Sequence, residues 1–234
     1  MEVADRVAQM SACGLDEAQA QPTEPLLCSP CWRSPVRLAC KRVLDIVGSV
    51  VLLALLSPLM VVLGVLVKVT SRGPMFYRWR VMGQDGRPFL GYKFRSMIAN
   101  ADELKDGLAD QNEMRGPVFK LSVDPRVTSL GAWMRRFSLD ELPQFYSVLK
   151  GDMSLVGPRP PLLSEYAEFT AYQKQKLVVR PGITCLWQVS GRNRVRDFDD
   201  WVALDLKYIR NWSLGLDLKI LLQTVREVLA GSGR

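Results

Sequence analysis

The sequence predicts a mainly helical α/β protein that combines a re-entrant membrane helix hairpin, amphipathic interfacial helices and a small β-hairpin or sheet. Three observations carry that prediction. Residues 46–67 (IVGSVVLLALLSPLMVVLGVLV) are uncharged and apolar, with Ser57-Pro58 at their midpoint. Residues 76–81 and 89–94 are short aromatic-rich runs on either side of Gly83-Gln84-Asp85-Gly86, turn chemistry that predicts a β-hairpin. Residues 198–229 place Trp201, Leu204, Tyr208, Trp212, Leu216, Ile220, Val225 and Leu229 among Asp, Lys and Arg, the pattern of one or two amphipathic helices.

The apolar run comes first in the chain. A straight helix over 22 residues reaches roughly 33 Å, enough for a bilayer core of about 30 Å, so an ordinary span is the simplest reading. Two features favour another. Pro58 removes a backbone donor and disfavours helix at Ser57. Arg37, Lys41 and Arg42 precede the run and Lys68, Arg72, Arg78 and Arg80 follow it, so the positive charge that marks cytoplasmic flanks lies at both ends. A segment that breaks centrally and keeps both ends on one side is a helix-break-helix hairpin in a single leaflet, preferred here over a span. A buried helix of a soluble core is the third reading.

Three segments follow from this. Residues 1–35 hold five acidic and two basic residues and lack the basic start and continuous apolar stretch of a secretory signal, which predicts a disordered or loosely attached tail. Residues 36–72 form the re-entrant membrane helix. Residues 73–234 form a cytoplasmic domain with interfacial helices. The whole chain is +7, and the acidic tail leaves the remainder more basic still, suited to an anionic lipid surface or a phosphate-bearing substrate.

Within the third segment, residues 99–110 (ANADELKDGLAD) predict a polar surface helix and residues 129–137 a short basic amphipathic one. Ser138 with Glu141 has capping-box spacing, or else Asp140 caps a helix with Pro143 in its first turn. Either way Asp140 and Glu141 lie at a helix start, and Lys150-Gly151 ends that helix. Residues 156–161 (VGPRPP) form a stiff loop. Residues 164–179 predict a helix, 183–189 a strand and 190–193 a turn. Trp and Tyr along the last amphipathic seam fit a soluble core and an interfacial helix equally.

Composition restricts the chemistry. There is no histidine among the 234 residues, which excludes Ser-His-Asp and Cys-His machinery, an HExxH zinc site and an imidazole base. Cysteines are five, and Cys28-Ser29-Pro30-Cys31 has no second CxxC, so reduced thiols are the default over a zinc site. Catalysis falls to carboxylates, Lys and Arg, thiols or hydroxyls, with a metal that prefers oxygen ligands. The adjacent Asp140-Glu141 pair leads: a helix start would hold a carboxylate ionised, as a nucleophile or metal ligand requires, although acidic residues in first turns are common for stability alone. Arg135 and Arg136 lie just upstream, Arg159 is pinned between Pro158 and Pro160, and Lys93 and Arg95 end a hairpin strand. As a set they suit a diphosphate with Mg²⁺.

Seven motifs in order make the chain resemble the bacterial monotopic phosphoglycosyl transferases, also called bacterial sugar transferases, over about residues 36–229. They are Lys41-Arg42-Val43-Leu44-Asp45, the Ser57-Pro58 break, Gly73-Pro74-Met75-Phe76-Tyr77, Tyr92-Lys93-Phe94-Arg95-Ser96-Met97, Ser138-Leu139-Asp140-Glu141-Leu142-Pro143-Gln144, Gly151-Asp152-Met153-Ser154-Leu155-Val156-Gly157-Pro158-Arg159-Pro160, and Arg180-Pro181-Gly182-Ile183-Thr184 followed by Trp187-Gln188-Val189-Ser190-Gly191-Arg192. The resemblance implies transfer of a sugar-1-phosphate from a UDP-sugar to undecaprenyl phosphate on the cytoplasmic face of the bacterial inner membrane, releasing UMP. It implies ping-pong chemistry through a phosphosugar on Asp140, with Glu141 beside it helping to hold Mg²⁺. Arg135 and Arg159 match arginines near the nucleotide diphosphate, Lys93 and Arg95 match the basic motif behind the dyad, Arg192 closes the last motif as a substrate-binding residue, and Ser57-Pro58 matches the re-entrant break. Such enzymes act early in exopolysaccharide, O-antigen or glycoconjugate assembly. Cys185 departs from the glycine common after Pro-Gly-Ile-Thr, and Met75 from a valine. The chain is expected to be a catalytic core without the multi-span N-terminal region of long members.

The competing class is a non-catalytic membrane-surface subunit of a polysaccharide assembly complex, which UMP release from UDP-sugars would exclude. Nucleic acid is not an expected partner, because the basic residues flank an apolar segment and match no nucleic-acid motif. Membrane lipid is expected; relatives can dimerise, and the residues leave that point, the identity of the sugar and the pathway open.

Overall fold

The computed structural model describes Trp32 and residues 34–191 and 195–233. It is mainly helical, with two small two-stranded sheets. Helix α1 (Pro35–Thr70) begins with the Ser34 hydroxyl accepting from Arg37 N and proline at its first turn. Strands β1 (Phe76–Met82) and β2 (Pro88–Phe94) form an antiparallel hairpin with Phe76 opposite Phe94 and Trp79 opposite Gly91. Then come α2 (Ser129–Arg136), α3 (Gln144–Lys150), β3 (Ser154–Val156), α4 (Leu163–Ala167), α5 (Ala171–Lys174), β4 (Gly182–Thr184), α6 (Leu186–Val189), α7 (Phe198–Arg210) and α8 (Leu214–Ala230).

Helix α1 is continuous through Pro58, where a break was expected. Pro58 cannot donate to the carbonyl of Ala54, but the Ser57 hydroxyl does so at 2.9 Å. The serine supplies the donor that the proline removes, and the helix passes through. At 36 residues α1 is about 54 Å long if straight. Yet both of its ends rest on the same domain. Lys41, Asp45 and Ser49 are buried near one end and Leu63, Gly64 and Val67 near the other, with Leu56 and Met60 packed between them. That stripe faces the domain; the remaining surface, including Val50, Leu55, Val61, Val65 and Val69, is exposed and apolar.

The domain ends of α1 are fastened by polar contacts. Lys41 Nζ donates to Asp217 Oδ2 at 2.7 Å and to the Val156 carbonyl at 3.0 Å. Asp45 Oδ1 accepts from Ser154 Oγ and from Leu155 N, both at 2.9 Å. Arg42 donates to the carbonyls of Val148 and Leu149, the last turn of α3. At the other end Arg95 Nη2 donates to the Ser71 carbonyl and hydroxyl, both at 2.7 Å, and to the Val67 carbonyl at 3.4 Å.

Two cores lie beneath this helix. The larger joins Val148, Met153, Val156, Phe198, Trp201, Leu206, Tyr208, Trp212 and Ile220 from α3, β3, α7, the α7–α8 turn and α8. The smaller joins Leu63 and Val67 of α1 to Phe94, Met134 and Leu142. Trp201, Tyr208 and Trp212 are all buried, so the aromatic seam serves as core. The outer stripe of α8 (Leu218, Leu222, Val225, Leu229) is exposed, as an interfacial helix requires. Trp32, in the region read as a loose tail, stacks on Trp212 with centroids 4.2 Å apart and donates to the Ile209 carbonyl.

Three expectations are corrected. Residues 99–110 form turns and a 3-10 segment (Asp106–Gln111) rather than a surface helix. Arg126 takes the Ala101 carbonyl and Tyr77 takes Asp102, contacts that hold the segment against the hairpin. The helix expected over 164–179 is divided into α4, α5 and a 3-10 turn, because buried Phe169 turns the chain inward and Thr170 with Gln173 builds a fresh capping box. The strand expected over 183–189 stops at Thr184; only Gly182–Thr184 pairs with β3, in parallel, and α6 follows.

Candidate active site

The site is assembled at the exit of β2. Thr128 N donates to the Ser96 carbonyl at 3.0 Å and Thr128 Oγ1 accepts from Gly131 N, so α2 starts against the end of the hairpin. Gly131 lies directly on the Ser96 carbonyl, where any Cβ would overlap backbone. One turn later Arg135 Nε donates to Ser96 Oγ at 2.9 Å. Gly131→Ala is therefore expected to push α2 off the hairpin and displace Arg135, lowering stability by about 1–3 kcal/mol, which thermal unfolding measures.

After α2 the chain turns through Ser138 in the left-handed region (φ 54°), a strained conformation for a non-glycine residue that clusters at functional sites. A 3-10 turn, Leu139–Glu141, follows, and α3 starts only at Gln144. In such a turn positions three apart eclipse: Leu139 and Leu142 go into the smaller core, and Asp140 and Glu141 line a cavity of about 410 Å³. Asp140 and Glu141 thus lie at a helical start, but in a 3-10 turn that leads into α3, without either of the expected caps. No side-chain cap forms at Ser138, and burial, followed by the adjacent Glu141 charge, pushes the Asp140 carboxyl above its ordinary 3.8, against the pull of Lys93 and Arg135.

Three cations surround the pair. Lys93 Nζ meets Glu141 Oε1 at 2.6 Å and lies 4.4 Å from the Trp79 ring centroid. Arg159 Nη1 is 3.8 Å from the same carboxylate oxygen. Burial lowers the pKa of Lys93 and of Arg135. Arg159 leaves β3 on a loop whose backbone is held to β4: Gly157 N donates to the Thr184 carbonyl and Gly182 N to the Pro158 carbonyl. Arg95 also contributes to the cavity wall, but its Nη2 is directed to the C-terminal turn of α1 as described. Arg192 lies outside the described residues, as do Cys13, Cys28 and Cys31. Cys40 is exposed, whereas Cys185 is buried and burial pushes its thiol well up, which leaves it inert as a thiolate.

Sequence reasoning passed over Trp79, Ser96, Lys176 and Asp205. Trp79 had a signal: it stands opposite Gly91, whose missing side chain leaves room for the indole. Ser96 lay in a quoted motif but was not singled out, since only α2 brings it to Arg135. Lys176 and Asp205 carry no local signal that sets them apart from surface charges, yet each is 1% exposed.

Mg²⁺ prefers oxygen ligands. Among the described residues no three His, Cys, Asp or Glu side chains converge. Mg²⁺, however, commonly takes one or two carboxylates and completes its shell with water and substrate phosphate. Two adjacent carboxylates facing a cation-lined cavity fit that pattern, with the ion shared by a diphosphate rather than caged by protein.

Asp140, buried, and the half-buried Glu141 thus share one cavity with Lys93, Arg135 and Arg159, in a domain that carries a long apolar helix. The family model for bacterial sugar transferase matches residues 36–231, and the chain belongs to that family. It is 47% identical over 196 residues to the galactosyl transferase CpsE of Streptococcus agalactiae serotype III, covering 84% of this chain and 43% of that protein. It is 46% identical over 198 residues to an undecaprenyl-phosphate galactose phosphotransferase of Salmonella typhimurium, covering 82% and 41%. The exopolysaccharide production protein ExoY of Rhizobium meliloti is 40% identical over 203 residues, covering 85% and 89%. The chain thus matches less than half the length of the first two and most of the third.

Proposed function

We propose that this protein transfers a sugar-1-phosphate from a UDP-sugar to undecaprenyl phosphate in the first step of polysaccharide assembly, by way of a phosphosugar on Asp140. The observation that carries this reading is the buried Asp140 in the wall of a cavity also lined by Lys93, Arg135 and Arg159. The names of the Salmonella and Streptococcus relatives support the substrate class.

In the first half-reaction an Asp140 oxygen attacks the phosphorus that carries the sugar. The bond from that phosphorus to the bridging oxygen breaks, and UMP leaves with the electron pair. In the second, an oxygen of the lipid phosphate attacks the same phosphorus, the Asp140–phosphorus bond breaks, and the carboxylate is restored beside undecaprenyl-diphosphate-sugar. Dividing the exchange lets one carboxylate serve a soluble and a lipid substrate in turn. Arg135 and Arg159 bind and orient phosphate oxygens. Lys93 neutralises Glu141, which otherwise would oppose ionisation of Asp140. Glu141 with Asp140 would hold Mg²⁺, which supplies charge neutralisation on the diphosphate when bound.

The membrane reading rests on α1. Its one-sided packing, with both ends on one domain and an apolar outer surface, supports a helix that enters and leaves the same leaflet, or lies within it, more than a crossing that carries one end some 30 Å away. The site then stays at the cytoplasmic side, near the depth of the lipid phosphate.

With UDP-sugar and Mg²⁺ but no lipid acceptor, the protein is expected to release about one UMP per molecule as a burst and to carry the sugar in acid-quenched, denatured form. Rapid-quench assay of UMP and intact-protein mass spectrometry measure both. UMP release only when lipid is present would refute the covalent step, and no release from any UDP-sugar would favour the non-catalytic subunit.

A further inference from the structure

At one end the cavity is closed by aromatic rings. Phe169, Trp187, Phe198 and Trp201 all line it and are 2–6% exposed. They pack in a chain: Phe169 to Phe198 at 4.9 Å, Phe198 to Trp201 at 5.7 Å and Trp201 to Trp187 at 4.0 Å between centroids. Lys176, also in the lining, pairs with Asp205 at 2.7 Å. Its Nζ stands 5.1 Å and 5.5 Å from the Trp201 and Phe198 ring centroids.

This cluster has unmet polar atoms. The indole N–H groups of Trp187 and Trp201 and Asp205 Oδ1 have no hydrogen-bond partner among the described residues. Buried polar groups are nearly always paired, because an unmet one costs its full desolvation. The two indole N–H groups belong to residues that line the cavity holding Asp140, and they call for a ligand that brings acceptors. The Lys176–Asp205 pair balances its own charge, so the ligand expected there is neutral. Aromatic faces beside N–H donors suit a ring with an apolar C–H face and hydroxyls at its edge.

We propose that this closed end is the hexose subsite, in which the Trp187 and Trp201 N–H groups, with Lys176 held by Asp205, read the hydroxyls of the sugar. The placement rests on the transfer reading above, and it distinguishes hexose from nucleoside by their fates. The sugar phosphate stays on Asp140 while UMP departs, so the retained group belongs at the closed end and the departing one at the open end. The opposite lining is open: Tyr77 and Asp102 are exposed and Lys105, Phe119 and Lys120 are half-buried. A site that hydrogen-bonds hydroxyls also discriminates strongly between sugars that differ in one of them.

Trp187→Phe and Trp201→Phe remove the N–H and keep an aromatic face. Each is expected to lower kcat/KM for the preferred UDP-sugar about tenfold or more and to reduce the preference among UDP-galactose, UDP-glucose and their N-acetylated counterparts. Inhibition by UDP, which lacks the hexose, should stay within about twofold. A parallel loss of UDP inhibition would assign the cluster to the base and overturn the proposal; unchanged kinetics in both variants would make it mere core and overturn it too. An independent arm needs neither tryptophan variant nor turnover. In calorimetry on the Asp140→Asn protein, the preferred UDP-sugar should bind about tenfold tighter than UDP, and equal affinities would overturn the subsite. Failure of the wild type to release UMP from any UDP-sugar would instead overturn the transfer reading, with calorimetry still deciding the subsite.

Discussion

Asp140→Asn is expected to reduce UMP release to background and to eliminate the sugar-linked protein. An amide is too weak a nucleophile to form the phosphosugar, and covalent catalysis leaves no alternative route. The same change should make the fold more stable. Burial and Glu141 raise the folded pKa of Asp140 above its ordinary 3.8, so the folded state binds that proton more tightly than the unfolded chain. Between the two pKa values stability falls as pH rises, and above both the ionised carboxylate remains a net cost. Asn removes that cost. At neutral pH with a chelator present, the variant should therefore melt higher than wild type, and the difference should shrink on acidification through the raised pKa. Full turnover by the variant would end the covalent mechanism; a lower melting point would show that the carboxylate supports the fold instead of straining it.

The second large effect is expected at Lys41. Asp217 accepts from Lys41 at 2.7 Å, from Tyr208 Oη at 2.8 Å and from Trp212 Nε1 at 3.1 Å, all buried. Lys41→Met leaves that carboxylate in the interior without its cation, a loss of about 3–5 kcal/mol and on the order of 10 °C in Tm. Because Lys41 and Asp45 also hold β3, which leads to Arg159, affinity for UDP should weaken as well. Lys41→Met with Asp217→Asn should recover much of the stability, since the uncompensated buried charge is gone, the amide oxygen can still accept from Trp212, and Tyr208 keeps the Val156 carbonyl as acceptor. Denaturant unfolding in detergent measures both variants, and a single variant within about 1 kcal/mol of wild type would remove Lys41 from the clamp.

How much of this was legible before the fold differs by element. The hairpin was, because residues 76–94 carry both strand composition and turn residues locally, and the pairing follows with Phe76 opposite Phe94. The amphipathic character of α7 and α8 was, because their apolar period is local, but that period alone does not divide residues 198–229 into two helices. The segments misread were those where a distant partner decides. Residues 99–110 have helix-like composition, but Arg126 and Tyr77 hold them in turns. Pro58 reads as a break, but whether the helix bends or ends depends on where the hydroxyl of Ser57 points.

The site divides in the same way. The chemical identities of Asp140, Glu141, Lys93, Arg135 and Arg159, and the absence of histidine, belong to the sequence, which by itself excluded imidazole chemistry and put a carboxylate pair among cations, beside an apolar helix, first among the candidates. The tertiary structure decided which cations reach it. Arg95 lies two residues from Lys93, on the same face of an extended chain, yet its guanidinium fastens α1 while Lys93 meets Glu141. Lys176 and Asp205, indistinguishable from surface charges in the sequence, are sealed beneath tryptophans. The physical reason is that charge and hydropathy are properties of a residue, whereas burial, and with it the pKa of Asp140 and the unmet N–H groups beside it, exists only once segments far apart in the chain have excluded water between them.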